Sequence, residues 1–248
     1  MKALLPFNIA PQPDEITCGP TCLQAIYNYY GDPISLDQTI SEVPMLEGGG
    51  TLAVLLASHS LLRGYRATIY TYKLQIFDPT WVDLPASALA DKLRDQARYK
   101  NDPKLLFATD AYLKFLELGG LLRARDLNGA LIRGFLNQGV PIIAGLSATF
   151  LYRSAREYGP NCDYDDVRGE PSGHFVVLHG YDREARTIHV ADPLKSNPMT
   201  GMHNYTASID RVINAILLGV LTYDANLLII QPAKEKKSHA STDSDRRR

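Results

Sequence analysis

The sequence has few cysteines, no long apolar run and almost no net charge, and each absence excludes a class of protein. Its 248 residues include three cysteines, an odd number that argues against a disulfide framework and favours a reducing, cytoplasmic compartment. No apolar run reaches the roughly 18 residues of a membrane span, and the N-terminal residues turn polar too soon for a signal peptide. A net charge of −1 gives no overall basic field of the kind that attracts nucleic acid. We therefore expect no membrane span and no nucleic-acid partner.

The length of 248 residues is sufficient for one elaborated domain with a sizeable core. We expect this domain to cover residues 1–232. Within it, residues 81–118 look helical and polar-faced, and we interpret them as an insertion. Residues 233–248 are rich in Lys, Ser and Asp and almost free of large apolar side chains, which predicts a disordered polar tail. The oligomeric state is left open.

Hydrophobic spacing predicts a leading helix followed by a mostly antiparallel sheet. Leu23, Ile26, Tyr27 and Tyr30 recur at helical spacing after Cys18, and Gly31 is a stop signal. Further helices are predicted at about 51–63, 127–137 and 208–218, and strands at 64–72, 140–146, 175–181, 187–191, 220–223 and 227–230. A long irregular stretch is predicted at 152–173. This order of elements favours the α+β class.

The segment around Cys18 carries the strongest chemical signal. From Gln12 it reads Gln-Pro-Asp-Glu-Ile-Thr-Cys-Gly-Pro-Thr-Cys-Leu. A thiol in the first turn of a helix faces free backbone N–H groups and the positive end of the helix dipole, which both favour the nucleophilic thiolate. Gln12 is a candidate side-chain donor to an oxyanion. The alternative is that Cys18 is a small buried residue that only packs.

A cysteine nucleophile needs a base, and the base needs a group that orients it. If strands 175–181 and 187–191 form a hairpin with a turn of two or three residues, His174 and Asp192 lie opposite one another to within one position. Opposed side chains on one face are close enough for a carboxylate to orient an imidazole. The same face carries an apolar row that we expect to face the Cys18 helix: Val176, Leu178, Ile188 and Val190.

The remaining cysteines and histidines have simpler interpretations. His179 and His189 fall on the other face of the hairpin and are predicted to be cross-strand neighbours rather than catalytic residues. Cys22 lies one turn after Cys18 and is predicted to pack, with a resolving thiol as the alternative. Cys162 is predicted to be a free cysteine in the acidic loop 161–166, which borders the cleft or is simply exposed.

Metal chemistry is not favoured by the spacing of these residues. A zinc site of Cys18, Cys22, His174 and Asp192 is conceivable, but structural zinc usually takes tight Cys-x₂₋₄-Cys pairs used twice. Only one loose pair is present. We therefore expect no metal and no cofactor.

Three motifs taken together resemble a known family. They are Gln12 with the Cys-Gly-Pro-Thr-Cys-Leu segment, the Gly-His-Phe-Val-Val-Leu segment and the Ala-Asp-Pro segment. They are similar to the papain-like cysteine peptidases typified by the double-glycine leader peptidases of bacteriocin exporters, and the resemblance covers about residues 7–232. It implies a papain-like fold in which Cys18 is the nucleophile, His174 the general base and acid, Asp192 the orienting residue and Gln12 the oxyanion-hole donor.

The resemblance implies a cysteine peptidase or amidase that cleaves a peptide or amide bond through an acyl-thioester. The exporter enzymes carry this domain fused to membrane spans and an ATPase. Because this sequence contains neither, we expect a stand-alone form. Two alternatives stay open, a thiol acyl- or aminoacyl-transferase on the same fold and a catalytically silent peptide-binding module. They share the fold and differ in what the site does with an acyl group.

Overall fold

A computed structural model describes residues 2–81 and 83–233. Its helices are α1 (Cys18–Tyr29), α2 (Leu36–Glu42), α3 (Ala53–Leu62), α4 (Ala86–Ala97), α5 (Pro103–Glu117), α6 (Gly129–Leu136), α7 (Ala148–Tyr152) and α8 (Ile209–Leu218). Short 3-10 turns lie at Pro79–Trp81 and Gly219–Thr222. Apart from Ala233, the predicted tail lies outside the described residues.

One large sheet organises the chain, and its strands run in the order β3-β2-β10-β4-β7-β8-β9. They are β1 (Lys2–Leu4), β2 (Tyr65–Thr71), β3 (Leu121–Arg123), β4 (Ile142–Ser147), β7 (Gly173–Asp182), β8 (Thr187–Ala191), β9 (Asn204–Ser208) and β10 (Asn226–Pro232). β1 pairs with β7, and every pairing in this sheet except β2 with β3 is antiparallel. β5 (Glu157–Tyr158) and β6 (Asp163–Tyr164) form a separate hairpin.

The leading helix forms as its apolar spacing predicts. Leu23, Ile26 and Tyr27 are at most 1% exposed and pack in a core that includes Val177 of β7. Burial of each large apolar side chain stabilises the fold by about 1.5–3 kcal/mol. The helix ends just before Gly31, whose φ of 73° is the left-handed conformation that glycine accepts without strain. The predicted fold class, α+β with this helix packed on a mostly antiparallel sheet, is confirmed.

The sheet is covered on both faces, and β7 alternates between two cores. Phe175 and Val177 pack in the core that contains α1. The apolar row predicted to face α1 belongs to the second core, together with residues of α8; it consists of Val176, Leu178, Ile188 and Val190. The prediction for that row is therefore wrong. Because both faces of β7 are apolar, the alternation of its side chains assigns each residue to one of two faces but does not show which face α1 covers.

The hairpin of β7 and β8 forms, but its register differs from the predicted one. Asp182 pairs with Thr187, so four residues form the turn, and a bulge lies between Leu178 and Gly180. Beyond the bulge, Val177 pairs with Ala191, and the next pair along this register sets Asp192 opposite Val176 rather than opposite His174. A bulge inserts one residue into a single strand and thereby changes the pairing beyond it.

Other local predictions had mixed outcomes. Residues 81–118 are largely helical, as α4 and α5, and Asp102 caps α5 by accepting hydrogen bonds from the amides of its first turn. The strand predicted at 220–223 is wrong. The chain forms a 3-10 turn there and reverses at Tyr223, whose φ is 69°. β9 is absent from the predicted strands, because its five residues are too few for a clear alternation of polar and apolar side chains.

Candidate active site

Cys18 is the first residue of α1 and lines an open cavity of about 370 Å³. The chain turns into the helix through Asp14, whose carboxylate accepts hydrogen bonds from the Ile16 amide and the Thr17 hydroxyl. Thr17 itself makes no side-chain cap, and the first amides of a helix have no intrahelical acceptor. These N–H groups and the helix dipole therefore act on the Cys18 thiol.

His174 lines the same cavity from the beginning of β7 and is 6% exposed. Its Nε2 atom lies 2.9 Å from Oδ1 of Asp192, and its ring interacts electrostatically with the Cys18 thiol. Burial alone would lower the pKa of His174. The charges of Asp192 and Cys18 outweigh burial and raise the pKa of His174 well above its usual range, which favours an imidazolium beside the thiol.

Asp192 follows β8 and is completely buried. Besides His174, its carboxylate accepts hydrogen bonds from the Leu194 amide at 2.9 Å, the Tyr152 hydroxyl at 2.7 Å and the Tyr205 hydroxyl at 2.8 Å. Burial would raise the pKa of Asp192, but the charge of His174 and the hydrogen bonds from His174, Leu194 and Tyr152 lower it below its usual range. The carboxylate is therefore ionised and fixed in orientation, as a residue that orients an imidazole must be.

The structure thus brings His174 and Asp192 together although they are not directly opposed. Diagonal neighbours across an antiparallel pair stay within reach of long side chains, and the imidazole spans that extra distance. Tyr152 and Tyr205 were missed by sequence reasoning. They arrive from α7 and β9, two elements that local patterns did not predict.

Gln12 lies beside the segment that follows Asp192. Its backbone N–H donates to the Pro193 carbonyl at 2.9 Å, and its Nε2 donates one hydrogen to the Asp14 carbonyl at 2.7 Å. The side chain is 8% exposed, and its Oε1 atom has no hydrogen-bond partner within the described part of the chain. An amide nitrogen carries two hydrogens, so one N–H of Gln12 is left for another acceptor.

The other two cysteines occupy different surroundings. Cys22 is fully buried, its thiol donates to the Phe175 carbonyl at 3.3 Å, and burial raises its pKa well above the usual range. These contacts are those of a packing residue, as predicted. Cys162 is an exposed free cysteine, also as predicted.

The acidic loop makes its hydrogen bonds mainly with residues close to it in the sequence. Asp165 accepts hydrogen bonds from the amides of Val167 and Arg168 and pairs with the Arg168 guanidinium at 2.6 Å. Asp163, Asp165 and Asp166 do not line the cavity around Cys18. Of the two interpretations of this loop, its structure favours simple exposure.

Gly173 separates His174 from a buried carboxylate that the sequence did not point to. A Cβ atom at Gly173 would overlap Oδ2 of Asp224 and lie 2.8 Å from the Thr222 hydroxyl. Asp224 lines the cavity and is 7% exposed. Only glycine therefore lets the strand approach Asp224 this closely at the position before His174.

We expect Gly173→Ala to reduce kcat/KM about 100-fold, because a displacement of about 1 Å in a reacting group has an effect of that size. Overpacking should also lower the free energy of unfolding by about 1–3 kcal/mol. Urea unfolding and steady-state kinetics measure the two effects. Gly134→Ala is the matched control, since a Cβ there meets nothing within 4 Å. Unchanged kinetics in Gly173→Ala would contradict the tight approach.

The positions of the Cys18, His174 and Asp192 side chains are typical of one class of site. A thiol at a helix N-terminus, an imidazole on the neighbouring sheet edge and a buried carboxylate behind it are the parts of a papain-like thiol site. None of the helices in the described part of the chain combines the length and the apolar composition that a membrane span requires.

Comparison with known proteins agrees with this class. A family model described as the Peptidase_C39-like family matches residues 109–214, which is less than half of the chain. The chain therefore resembles C39-like peptidases over a stretch that contains His174 and Asp192 but neither Gln12 nor Cys18. Among curated proteins, none matches the sequence significantly.

Solved structures that are described as peptidases or proteases align over most of the chain at low sequence identity. A putative C39-like peptidase from Bacillus anthracis is 14% identical, with 94% of this chain and 98% of that chain covered and a TM-score of 0.48. The peptidase domain of Streptococcus ComA is 13% identical, with 92% and 99% covered and a TM-score of 0.43. Xylellain, a cysteine protease from Xylella fastidiosa, is 15% identical, with 94% and 86% covered and a TM-score of 0.45.

Proposed function

We propose that this protein is a cysteine peptidase or amidase that hydrolyses a peptide or amide bond. The observation that carries the proposal is the arrangement in one open cavity of Cys18 at the start of α1 and of His174, which is hydrogen-bonded to the buried Asp192. Such a constellation is built for attack on an acyl carbon. The match of residues 109–214 to a peptidase family supports the same class of reaction.

The proposed cycle begins from the ion pair of a Cys18 thiolate and a His174 imidazolium, which forms when the Cys18 proton passes to His174. The thiolate attacks the substrate carbonyl carbon, and the carbonyl oxygen becomes an oxyanion that accepts hydrogen bonds from the free N–H of Gln12 and from the first-turn amides of α1. Collapse of this intermediate breaks the C–N bond, and His174 gives its proton to the leaving amine. The product is an acyl-thioester on Cys18 and a free amine.

Hydrolysis then restores the enzyme. His174 takes a proton from water, the hydroxide attacks the thioester carbon, and the sulfur leaves as thiolate and regains its proton from His174. In both halves Asp192 keeps the imidazole in one orientation and stabilises its charged form. If an amine replaced water in this step, the same residues would carry out acyl transfer.

The extent of the sheet supports a single domain over residues 1–232. β1 at one end of this range and β10 at its other end belong to the same sheet. The proposed enzyme therefore uses nearly the whole described chain as a scaffold for one cavity.

The test is thiol labelling combined with a turnover assay. We expect one equivalent of iodoacetamide to modify Cys18 at neutral pH, with Cys22 protected by burial and Cys162 labelled more slowly. Peptide mapping by mass spectrometry assigns the site, and a peptide and amide library tests whether the same treatment abolishes turnover. Equal labelling of Cys18 and Cys162, together with no turnover of any library member, would overturn the proposal.

A further inference from the structure

A charged cluster lies at the edge of the sheet next to His174, and the proposed reaction does not use it. Tyr72 N–H donates to the Ala225 carbonyl at 3.0 Å, so the pairing of β2 with β10 continues past Thr71 and Asn226. The next position of this register sets Lys73 opposite Asp224. Asp224 in turn lies against Gly173. The cluster is therefore connected directly to the residue before His174.

Two lysines approach one aromatic ring in this cluster. Lys73 Nζ lies 5.2 Å and Lys104 Nζ 4.4 Å from the centre of the Tyr223 ring, and the Tyr223 hydroxyl lies 3.3 Å from a carboxylate oxygen of Asp102. Cation–π contacts of this kind hold an ammonium group without neutralising it. Within the described residues, neither ammonium group has a carboxylate oxygen within 4 Å.

Two charged groups of this cluster are buried, and a third faces the cavity. Lys73 is 3% exposed, and burial lowers its pKa; Asp224 is 7% exposed, and burial raises its pKa. Lys104 is exposed and lines the Cys18 cavity together with Asp224. Lys104 is the only lysine or arginine among the described residues that line this cavity, and a substrate that covers it would leave an unpaired ammonium group in a poorly solvated place unless it supplied an anion.

The position of Lys104 also fits contact with substrate. It lines both the Cys18 cavity and a neighbouring one of about 640 Å³, and the two cavities share the loop at Gly48 and Gly49. A chain lying in the Cys18 cavity therefore passes Lys104 as it continues into the second. Glu15 is the other carboxylate of the Cys18 cavity, and its charge raises the pKa of Cys162 and of Tyr164 in the β5–β6 region.

We propose that Lys104, backed by Lys73 and Asp224, forms a subsite that binds a carboxylate of the substrate near the bond that is cleaved. The inference rests on the proposed function, in which the substrate is a peptide or amide. It adds that this substrate carries a carboxylate. The carboxylate comes either from an acidic side chain or from a free C-terminus. In both cases the ligand pairs with the Lys104 ammonium group, which has no carboxylate oxygen within 4 Å in the described part of the chain.

The test uses a positional library of fluorescent decapeptides in which each position carries Glu, Gln or Lys and the C-terminus is free or amidated. We expect kcat/KM to be about tenfold higher for a carboxylate than for its amide at one position or at the C-terminus, the size of a hydrogen bond to a charged group. The Glu–Gln comparison and the free–amidated comparison distinguish the two sources of the carboxylate.

Variants of exposed lysines on α5 assign the effect to the cluster. Lys104→Gln should reduce the ratio of kcat/KM for the carboxylate peptide to that for its amide to about one. Lys104→Glu should reverse the preference in favour of the Lys peptide. Lys114→Gln is the matched control, because it makes the same change on the same helix about 15 Å further along. A preference that survives Lys104→Gln would overturn the proposal. A preference of the wild type for the Lys peptide would also overturn the proposal. It would indicate that Asp224 binds the ammonium group of the substrate.

Binding separates this inference from the proposed reaction. Fluorescence anisotropy on the Cys18→Ala protein measures peptide affinity without turnover, and the preference for Glu should weaken at high salt. Tighter binding of Glu peptides that depends on Lys104, in a wild type without turnover, would support the subsite and reject the peptidase. Turnover with equal rates and equal affinities for Glu and Gln peptides would reject the subsite and leave the peptidase standing.

Discussion

Cys18→Ala is expected to abolish turnover, with kcat reduced by about 10⁵- to 10⁶-fold, because loss of a nucleophile removes the covalent route and the whole constellation that serves it. The remaining groups can still bind a peptide and polarise its carbonyl, but neither His174 nor water replaces the sulfur as attacking atom. Steady-state kinetics on a peptide cleaved by the wild type measures the loss. Intact mass spectrometry should show an acyl-enzyme in the wild type only.

The fold should survive this substitution. Cys18 is 9% exposed and lies at the beginning of α1 beside an open cavity, so removal of the sulfur creates no closed void of the kind that destabilises cores. We expect a change in the free energy of unfolding below about 1 kcal/mol by urea denaturation, as is usual away from tightly packed positions. Cys162→Ala, an exposed cysteine outside the cavity, should keep wild-type kinetics. Full activity in Cys18→Ala would exclude thiol catalysis by this chain.

The Cys18 helix could be predicted because its signals are local. The apolar spacing of Leu23, Ile26 and Tyr27 and the stop at Gly31 require only the geometry of one helix. The thiol at its first turn then follows from sequence position alone. Nothing in this part of the chain depends on which strands pair.

The approach of His174 to Asp192 was predicted on a register that differs in detail from the observed one. The turn has four residues, and a bulge interrupts the pairing before Gly180. The contact is present because the imidazole and the carboxylate reach across the diagonal of the ladder. The choice of sheet face, by contrast, failed, because β7 is apolar on both faces and alternation does not identify which helix lies on each.

The surroundings of the site depend on pairings between distant strands, and local patterns did not reveal them. Lys73 and Asp224 are 151 residues apart in the sequence and meet only because β10 lies between β2 and β4. Tyr205 reaches Asp192 because β9 pairs with β8, where Val190 is its partner. Each of these residues taken alone looks like an ordinary polar or aromatic residue.

Asp192→Asn is expected to reduce kcat/KM by about 10³- to 10⁴-fold, the range found when the acid of a catalytic triad becomes an amide. The change keeps the shape of the side chain and removes its charge. Without that charge, burial keeps His174 neutral at pH values where the wild-type imidazole is protonated. The Cys18 sulfur then has no cation beside it, so alkylation at neutral pH should slow together with turnover.

The hydrogen bonds around the carboxylate give this prediction a second readout. In the wild type all four donors, from His174, Leu194, Tyr152 and Tyr205, find a carboxylate oxygen. An amide has only one acceptor oxygen, so one pair of donors must face its NH₂ group, and the free energy of unfolding should fall by about 1–3 kcal/mol.

Tyr205→Phe supplies the graded comparison, because it removes one donor to Asp192 and leaves the charge in place. We expect its kcat/KM to fall about tenfold, the size of one hydrogen bond to a charged group. The alkylation rate of Cys18 should stay close to that of the wild type, since His174 keeps the full charge of Asp192 beside it. Equal losses in Asp192→Asn and Tyr205→Phe would mean that Asp192 acts by packing alone. A larger loss in Asp192→Asn, with slower alkylation in that variant only, would assign its effect to the charge that it places beside His174.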